Sequence, residues 1–292
     1  MDRATDVPQT PAPPADPAQQ SAAHQGAAHQ GSAQRTTAQP TSAHNADPSQ
    51  ANDYDSFAEA YAADNEKNLL NAYYERPAML ALAGDVSGRR ILDAGCGAGP
   101  LFAALQERGA EVTGVDASAE MLSLARRRLG DDASLYVADL SQPLPFADGV
   151  FDDVVASLVL HCLEDWGPTL AEMRRVLRPG GRLLVSVQHP FVDYAIQDPR
   201  PDYSKTTSFS TELTFSGRSV PMEFWRRPLH AMTDAFTAAG FRISVISEPP
   251  PDPAARDLFP DDFRKLASGM AFLFFVLEVE PEPEPEPELE TP

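Results

Sequence analysis

From about residue 54 to residue 279, short apolar runs alternate with longer stretches whose apolar positions recur every three or four residues. Runs at about 91–93, 111–115, 134–138, 152–157 and 182–187 have the length and apolar content of buried strands. The stretches at roughly 100–108, 118–129 and 168–177 have helical spacing, and Gly109 and Gly130 close the first two as C-terminal glycines. A helical stretch over 54–82 precedes the first strand. Strands and helices in alternation predict an α/β fold, a doubly wound parallel sheet. Between Val187 and Phe241 the chain is longer than one crossover helix needs. Residues 207–216 alternate apolar and polar side chains, Gly217-Arg218 can turn, and 220–225 can return as a second strand. We read 189–227 as an insertion covering a site or, alternatively, as a surface embellishment, with 228–239 as the helix that follows.

The most informative stretch is 91–100, Ile-Leu-Asp-Ala-Gly-Cys-Gly-Ala-Gly-Pro. It ends a strand in an acid and reaches the next helix through glycines at 95, 97 and 99, which can take positive φ and lie against a ligand. Pro100 suits a first helical turn, whose open N–H groups face what binds above the strand ends. A dinucleotide fingerprint has the spacing G-x-G-x-x-G. Here the third glycine comes one residue early, and Asp93 precedes the loop. That carboxylate repels a pyrophosphate and attracts an ammonium, so a zwitterionic, amino-acid-like ligand fits better.

These residues resemble motif I of the class I S-adenosylmethionine-dependent methyltransferases, and later segments agree in order and spacing. Val-Thr-Gly-Val-Asp over 112–116 resembles strand two of that family, with Asp116 on the ribose hydroxyls, followed by Ala117 and by Met121 against the adenine. Leu-Tyr-Val-Ala-Asp-Leu over 135–140 resembles strand three, with Asp139 and the Leu140 backbone at the adenine amino group. Residues 154–161 resemble strand four and its loop, with Ser157 at the cofactor, and 175–185 resemble the turn into strand five. The nearest group is the type 11 group around the ubiquinone and menaquinone biosynthesis methyltransferases, and the likeness covers about 54–279. It implies a seven-stranded Rossmann-like sheet of order 3-2-1-4-5-7-6, its seventh strand antiparallel, with N-terminal helices and the small insertion above the site. It also implies that Asp93, Gly95, Cys96 and Gly97 hold the methionine moiety, with Tyr61 closing over the cofactor.

Composition narrows the setting. Residues 1–52 are rich in Ala, Gln, Pro, Ser and Thr without apolar periodicity, and 280–292 carry alternating Glu and Pro. Both are expected to be disordered tails around a methyltransferase domain over 53–279. A formal net charge of −20 argues against nucleic-acid binding. With only two cysteines, one inside the glycine loop, and no apolar run long enough to span a bilayer, a cytoplasmic protein that neither forms disulfides nor inserts in a membrane is expected. No metal-ligand spacing is found.

Methyl transfer needs in-line alignment of nucleophile and methyl group, and a base only where the nucleophile carries a proton. His189, directly after strand five, and His161, just past strand four, qualify by position as that base. Either can equally be a structural, hydrogen-bonded histidine. Arg226 and Arg227 can either pair with an acidic acceptor or face solvent, and solvent is the expectation. The expected activity is O-, N-, C- or S-methylation of a small molecule by a monomer or homodimer, in bacterial specialised metabolism. A peptide or protein acceptor, a non-catalytic cofactor-binding protein and a nicotinamide oxidoreductase are the alternatives.

Overall fold

The computed structural model describes residues 52–280, and both expected tails, apart from Asn52 and Glu280 at their inner ends, lie outside the described residues. Its frame is a seven-stranded sheet ordered β3-β2-β1-β4-β5-β9-β8. The strands are β1 (Arg90–Ala94), β2 (Glu111–Asp116), β3 (Ser134–Val137), β4 (Phe151–Ser157), β5 (Leu177–Gln188), β8 (Arg242–Ser247) and β9 (Phe272–Glu278). β1 pairs in parallel with β2 and β4, whereas β9 runs antiparallel to both β5 and β8. The two missing numbers are a separate hairpin, β6 (Thr207–Phe215) and β7 (Arg218–Arg226), paired antiparallel. Removing it from the count leaves the order 3-2-1-4-5-7-6 that the family resemblance implies.

Both faces of the sheet are covered, as the continuously apolar strands require. On one face Leu92, Val154 and Phe275 pack with Leu170 and Met173 of α5 (Gly167–Val176) and Phe236 of α7 (Leu229–Ala238). The other face packs Ile91, Leu184 and Phe274 against Met79 of α2 (Arg76–Ala83), Phe102 of α3 (Pro100–Gln106) and Leu122 of α4 (Ala119–Leu129).

At the N-terminal edge of this sheet Asp153, 1% exposed, accepts from Arg89 at 2.5 and 2.7 Å and from Arg182 at 2.8 Å on both oxygens. Burial alone raises its carboxyl, but the bonds from Arg182 and Arg89 outweigh it and hold the group below the ordinary value. Its stabilising contribution is therefore complete above pH 4 and is lost as pH falls through the lower folded value. Asp153→Ala strands two guanidinium groups. It should cost about 3 kcal/mol, the low end for a broken buried pair because both arginines keep some solvent, and lower the melting temperature by roughly 6–12 °C. A thermal melt at pH 7 measures it.

The helical stretch expected over 54–82 is not one helix. It is a 3-10 turn (Tyr54–Phe57), α1 (Ala58–Asn65), a break, a π-helical turn (Asn71–Glu75) and then α2. β3 ends at Val137 rather than at 138. The insertion is the β6–β7 hairpin, turned by Ser216 and Gly217 at positive φ, preceded by α6 (Pro190–Ala195). Arg226 does not face solvent. It is 1% exposed, and its guanidinium donates to the carbonyls of Asp202, Tyr203 and Lys205 and lies over the Tyr203 ring. Arg227 is half-buried, lies over the Trp166 ring at 4.6 Å and donates to the Glu164 carbonyl.

Candidate cofactor site

The C-terminal ends of β1 and β4, the first turn of α3 and the helical segment before β1 surround one cavity. The glycine loop takes the predicted backbone, with φ of +80° at Gly95, +54° at Gly97 and +76° at Gly99. A Cβ on Gly95 would lie 2.7 Å from Val159 Cγ2, so a side chain there is excluded twice over. At Gly97 a Cβ meets nothing within 4 Å, the mark of a backbone facing open space. The loop is bolted to β2 by Asp116, whose Oδ2 accepts from the Gly97 N–H at 2.8 Å and whose Oδ1 accepts from the Ser118 N–H at 2.9 Å. Cys96 is buried and reduced beneath the loop, and its sulfur fills the space that a Cβ on Gly114 would occupy.

Tyr61, Asn65, Asn71, Glu75, Arg76, Asp93, Gly95, Cys96, Gly97, Ser157 and Leu158 line the cavity. Asp93 is 1% exposed, and its Oδ2 has no hydrogen-bond partner. Burial, and then the charges of Glu75 and Asp116, push its carboxyl up to about 8. Glu75 is 4% exposed, and its Oε1 accepts from Ser157 Oγ at 2.7 Å and Ser186 Oγ at 2.6 Å. The two serines are cross-strand neighbours in the β4–β5 register, which is why both reach one oxygen. Burial raises the Glu75 carboxyl and that of Asp116. Against these acids the cavity has one guanidinium, Arg76, which donates to the Asn65 carbonyl and side chain at 3.2 and 2.7 Å. Leu158, with φ +49°, is strained where β4 ends at the cavity wall.

Buried carboxylates short of hydrogen bonds and counter-charges are costly and call for a cation. Among the described residues no group of His, Cys, Asp and Glu is arranged to hold a metal ion. An organic ammonium beside a backbone that accepts close approach fits the cavity, and so does a carboxylate near Arg76. The residues present therefore fit the amino-acid end of S-adenosylmethionine.

A roof closes the site. Asp55 Oδ1 accepts from Ser118 Oγ and from the Glu120 N–H, while Glu59 and Glu66 pair with Arg127 and Arg128 of α4. These ties lay Tyr54, Ala58 and Tyr61 over Ala98 and Met121. On its other side Phe57 stacks on Phe215 of the hairpin at 5.6 Å, beside Met222 and Phe224.

Of the residues singled out from sequence, Tyr61, Asp93, Gly95, Cys96, Gly97 and Ser157 come together in the cavity, and Asp116 braces it from behind. Met121 is buried under α1 rather than open, and Ala117 is exposed beside it. Asp139 is exposed beyond the end of β3 and accepts from the Ser141 N–H at 2.8 Å, while the Leu140 side chain joins the core. His161 sits on the 3-10 turn Leu160–Cys162, edge-on to Phe224 at 5.2 Å. His189 does not reach the cavity. Its Nδ1 accepts from the Phe191 N–H to cap α6, and its Nε2 bonds Glu248 at 2.8 Å. With both ring nitrogens engaged it has none for an acceptor. His189→Ala should cost about 1 kcal/mol of stability from the lost cap and leave cofactor affinity unchanged, read by melting and by calorimetry.

Glu75, Arg76, Asn65 and Asn71 were not expected here. Glu75 had a signal in the sequence. It falls three and four residues before Ala78 and Met79, an acid on the apolar face of its helix.

Seven strands with one reversed, β9, between β5 and β8, and an acid-lined glycine loop at the carboxyl edge, define the class I architecture of S-adenosylmethionine-dependent methyltransferases. A family profile described as a methyltransferase domain matches residues 92–185. A ubiquinone/menaquinone biosynthesis C-methyltransferase of Desulfotalea psychrophila is 32% identical over 175 residues, 56% of this chain and 70% of that protein. A demethylmenaquinone methyltransferase of Clavibacter sepedonicus is 39% identical over 136 residues, 45% of this chain and 55% of that protein. Another, from Thermus thermophilus, is spanned over 49% of its length, so the chain covers about half of these two curated relatives. A solved S-adenosylmethionine-dependent methyltransferase of Mesorhizobium loti superimposes with a TM-score of 0.54 at 27% identity, covering 69% of this chain and 96% of that one. The chain belongs to the class I S-adenosylmethionine-dependent methyltransferases, in the group around the ubiquinone and menaquinone biosynthesis enzymes.

Proposed function

We propose that this chain transfers the methyl group of S-adenosylmethionine to a flat, largely apolar small molecule. The observation that carries the cofactor half is the buried, unpartnered Oδ2 of Asp93 beside Glu75, under a glycine loop whose backbone faces open space. S-adenosylmethionine supplies, when bound, an electrophilic methyl on a sulfonium. The residues of this chain then have to bind, align and exclude water. Asp93 and the loop hold the ammonium end, Arg76 faces the carboxylate, and Asp116 keeps the loop in shape while its oxygens are within reach of the ribose. Tyr61 and the rest of α1 shut the cavity from solvent.

The acceptor half rests on the roof. Tyr54, Phe57, Phe209, Phe215 and Phe224 pack with Cys162 and His161 on the hairpin side, an aromatic cluster next to the roof that suits contact with a ring. His161, a candidate base by its position after β4, lies edge-on to Phe224 in this cluster. Relatives named for demethylmenaquinone agree with such an acceptor, and one named malonyl-[acyl-carrier protein] O-methyltransferase, from Serratia marcescens, broadens the choice to oxygen nucleophiles. Incubating the chain with methyl-labelled S-adenosylmethionine and reduced naphthoquinones, catechols and acyl thioesters tests the reading. Label in the quinol or catechol fraction is expected, and label only in protein would overturn the small-molecule assignment.

A further inference from the structure

The π-helical turn Asn71–Glu75 is an irregularity in front of α2 with a consequence for the cavity. Such turns insert an extra residue into the helical ladder and recur where a side chain must be re-aimed. Here the turn brings Glu75 onto the ends of β4 and β5, more than eighty residues away in sequence. Both of its hydrogen bonds fall on Oε1, none falls on Oε2, and the side chain lines the cavity with Asp93. Two serines thus fix the carboxylate in one orientation with one oxygen left over. Glu75 thus keeps an acceptor oxygen beyond the one its serines use. Its neighbour Asp93 has an Oδ2 buried without a partner, a deficit that costs about 1–3 kcal/mol until a donor meets it.

We propose that Glu75 is a second binding carboxylate of the site, which with Asp93 clamps the ammonium group of the cofactor's amino-acid end. Ser157 and Ser186 are its positioning residues. This rests on the reading of the site as an S-adenosylmethionine site, and it adds a contact from the segment before β1, outside the stretch matched by the family profile. The chemistry is selective: the ammonium is a cation that donates to both acids, whereas the adenosine of the cofactor offers only neutral donors, and methylthioadenosine has no ammonium. Glu75 should thus contribute equally to S-adenosylmethionine and S-adenosylhomocysteine, which share the ammonium, and nothing to methylthioadenosine, which lacks it.

Calorimetric titration of wild type and Glu75→Gln with these three ligands tests the clamp. The isosteric amide can still serve both serines, so the fold is retained, and unchanged methylthioadenosine affinity is the internal control. The variant should bind S-adenosylmethionine and S-adenosylhomocysteine about ten- to a hundred-fold more weakly. Unchanged S-adenosylhomocysteine affinity, an equal loss for methylthioadenosine, or a loss confined to the sulfonium form would each overturn the assignment. Ser186→Ala, which removes one bond from Oε1, should give a smaller loss of the same selectivity, and decides the matter if Glu75→Gln is unstable. A wild-type chain that binds none of the three instead overturns the cofactor reading itself.

Discussion

Asp116→Ala is expected to weaken S-adenosylmethionine binding by about 2–4 kcal/mol, roughly 30- to 700-fold in Kd. The carboxylate serves two partners at once. Toward the protein it holds the N–H groups of Gly97 and Ser118, so the loop keeps its left-handed turns before a ligand arrives. Toward the ligand it stands at the end of β2, where the two hydroxyls of a ribose can donate to it. Alanine removes the second interaction and leaves the loop to be ordered at the ligand's cost. Asp116→Asn keeps one acceptor oxygen and should fall between the two. Calorimetry with S-adenosylhomocysteine reads both variants, and unchanged affinity in the alanine variant would mean that the ribose lies elsewhere.

Asp93→Asn should show the second largest effect, most visible in its pH dependence. With its carboxyl near pH 8, the unligated chain holds a proton on Asp93 at neutral pH. An incoming ammonium favours the ionised form, so binding expels that proton. Wild-type affinity is expected to rise as pH increases from 6 to 8, by up to about tenfold per unit, and then to level off. The sign for stability is opposite. A carboxyl raised from its ordinary value near 4 to 8 makes the unligated fold less stable as pH climbs through that window, because only the unfolded chain ionises it freely. Asparagine removes both slopes. The variant should bind roughly 10- to 100-fold more weakly at pH 8, without proton release, yet melt no lower than wild type when unligated. Retained proton release in the variant would assign the proton to another group.

The glycine loop was legible in the sequence because its constraints are local: positive φ at 95, 97 and 99 and a strand ending in an acid leave few alternatives. The hairpin was legible for the same reason, since its alternation and a turn at Gly217 are written in adjacent residues, although the turn falls on Ser216-Gly217, one residue before the Gly217-Arg218 expected. Glu75 was legible only as an acid on the apolar face of a helix; its place in the site was not, because a π-turn has no residue signature and its two serine partners become neighbours only through the β4–β5 register. His189 occupies the strand end expected for a base, but the cap on α6 and the bond to Glu248 depend on elements that return from elsewhere in the chain. Arg226 is similar: beside Arg227 in a hairpin outside the main sheet it reads as solvated until the loop carbonyls of residues 202–205 fold over it. Asp139 lies two residues beyond the end of β3 and does not line the cavity.

The measurement closest to the acid-lined cavity is a calorimetric titration of the wild-type chain with S-adenosylhomocysteine at pH 7, in buffers of different ionisation enthalpy, with NAD as comparison. One-to-one binding of S-adenosylhomocysteine with release of close to one proton, and no heat from NAD, is the expected result. Binding of NAD alone, or binding of S-adenosylhomocysteine with no proton released, would contradict it.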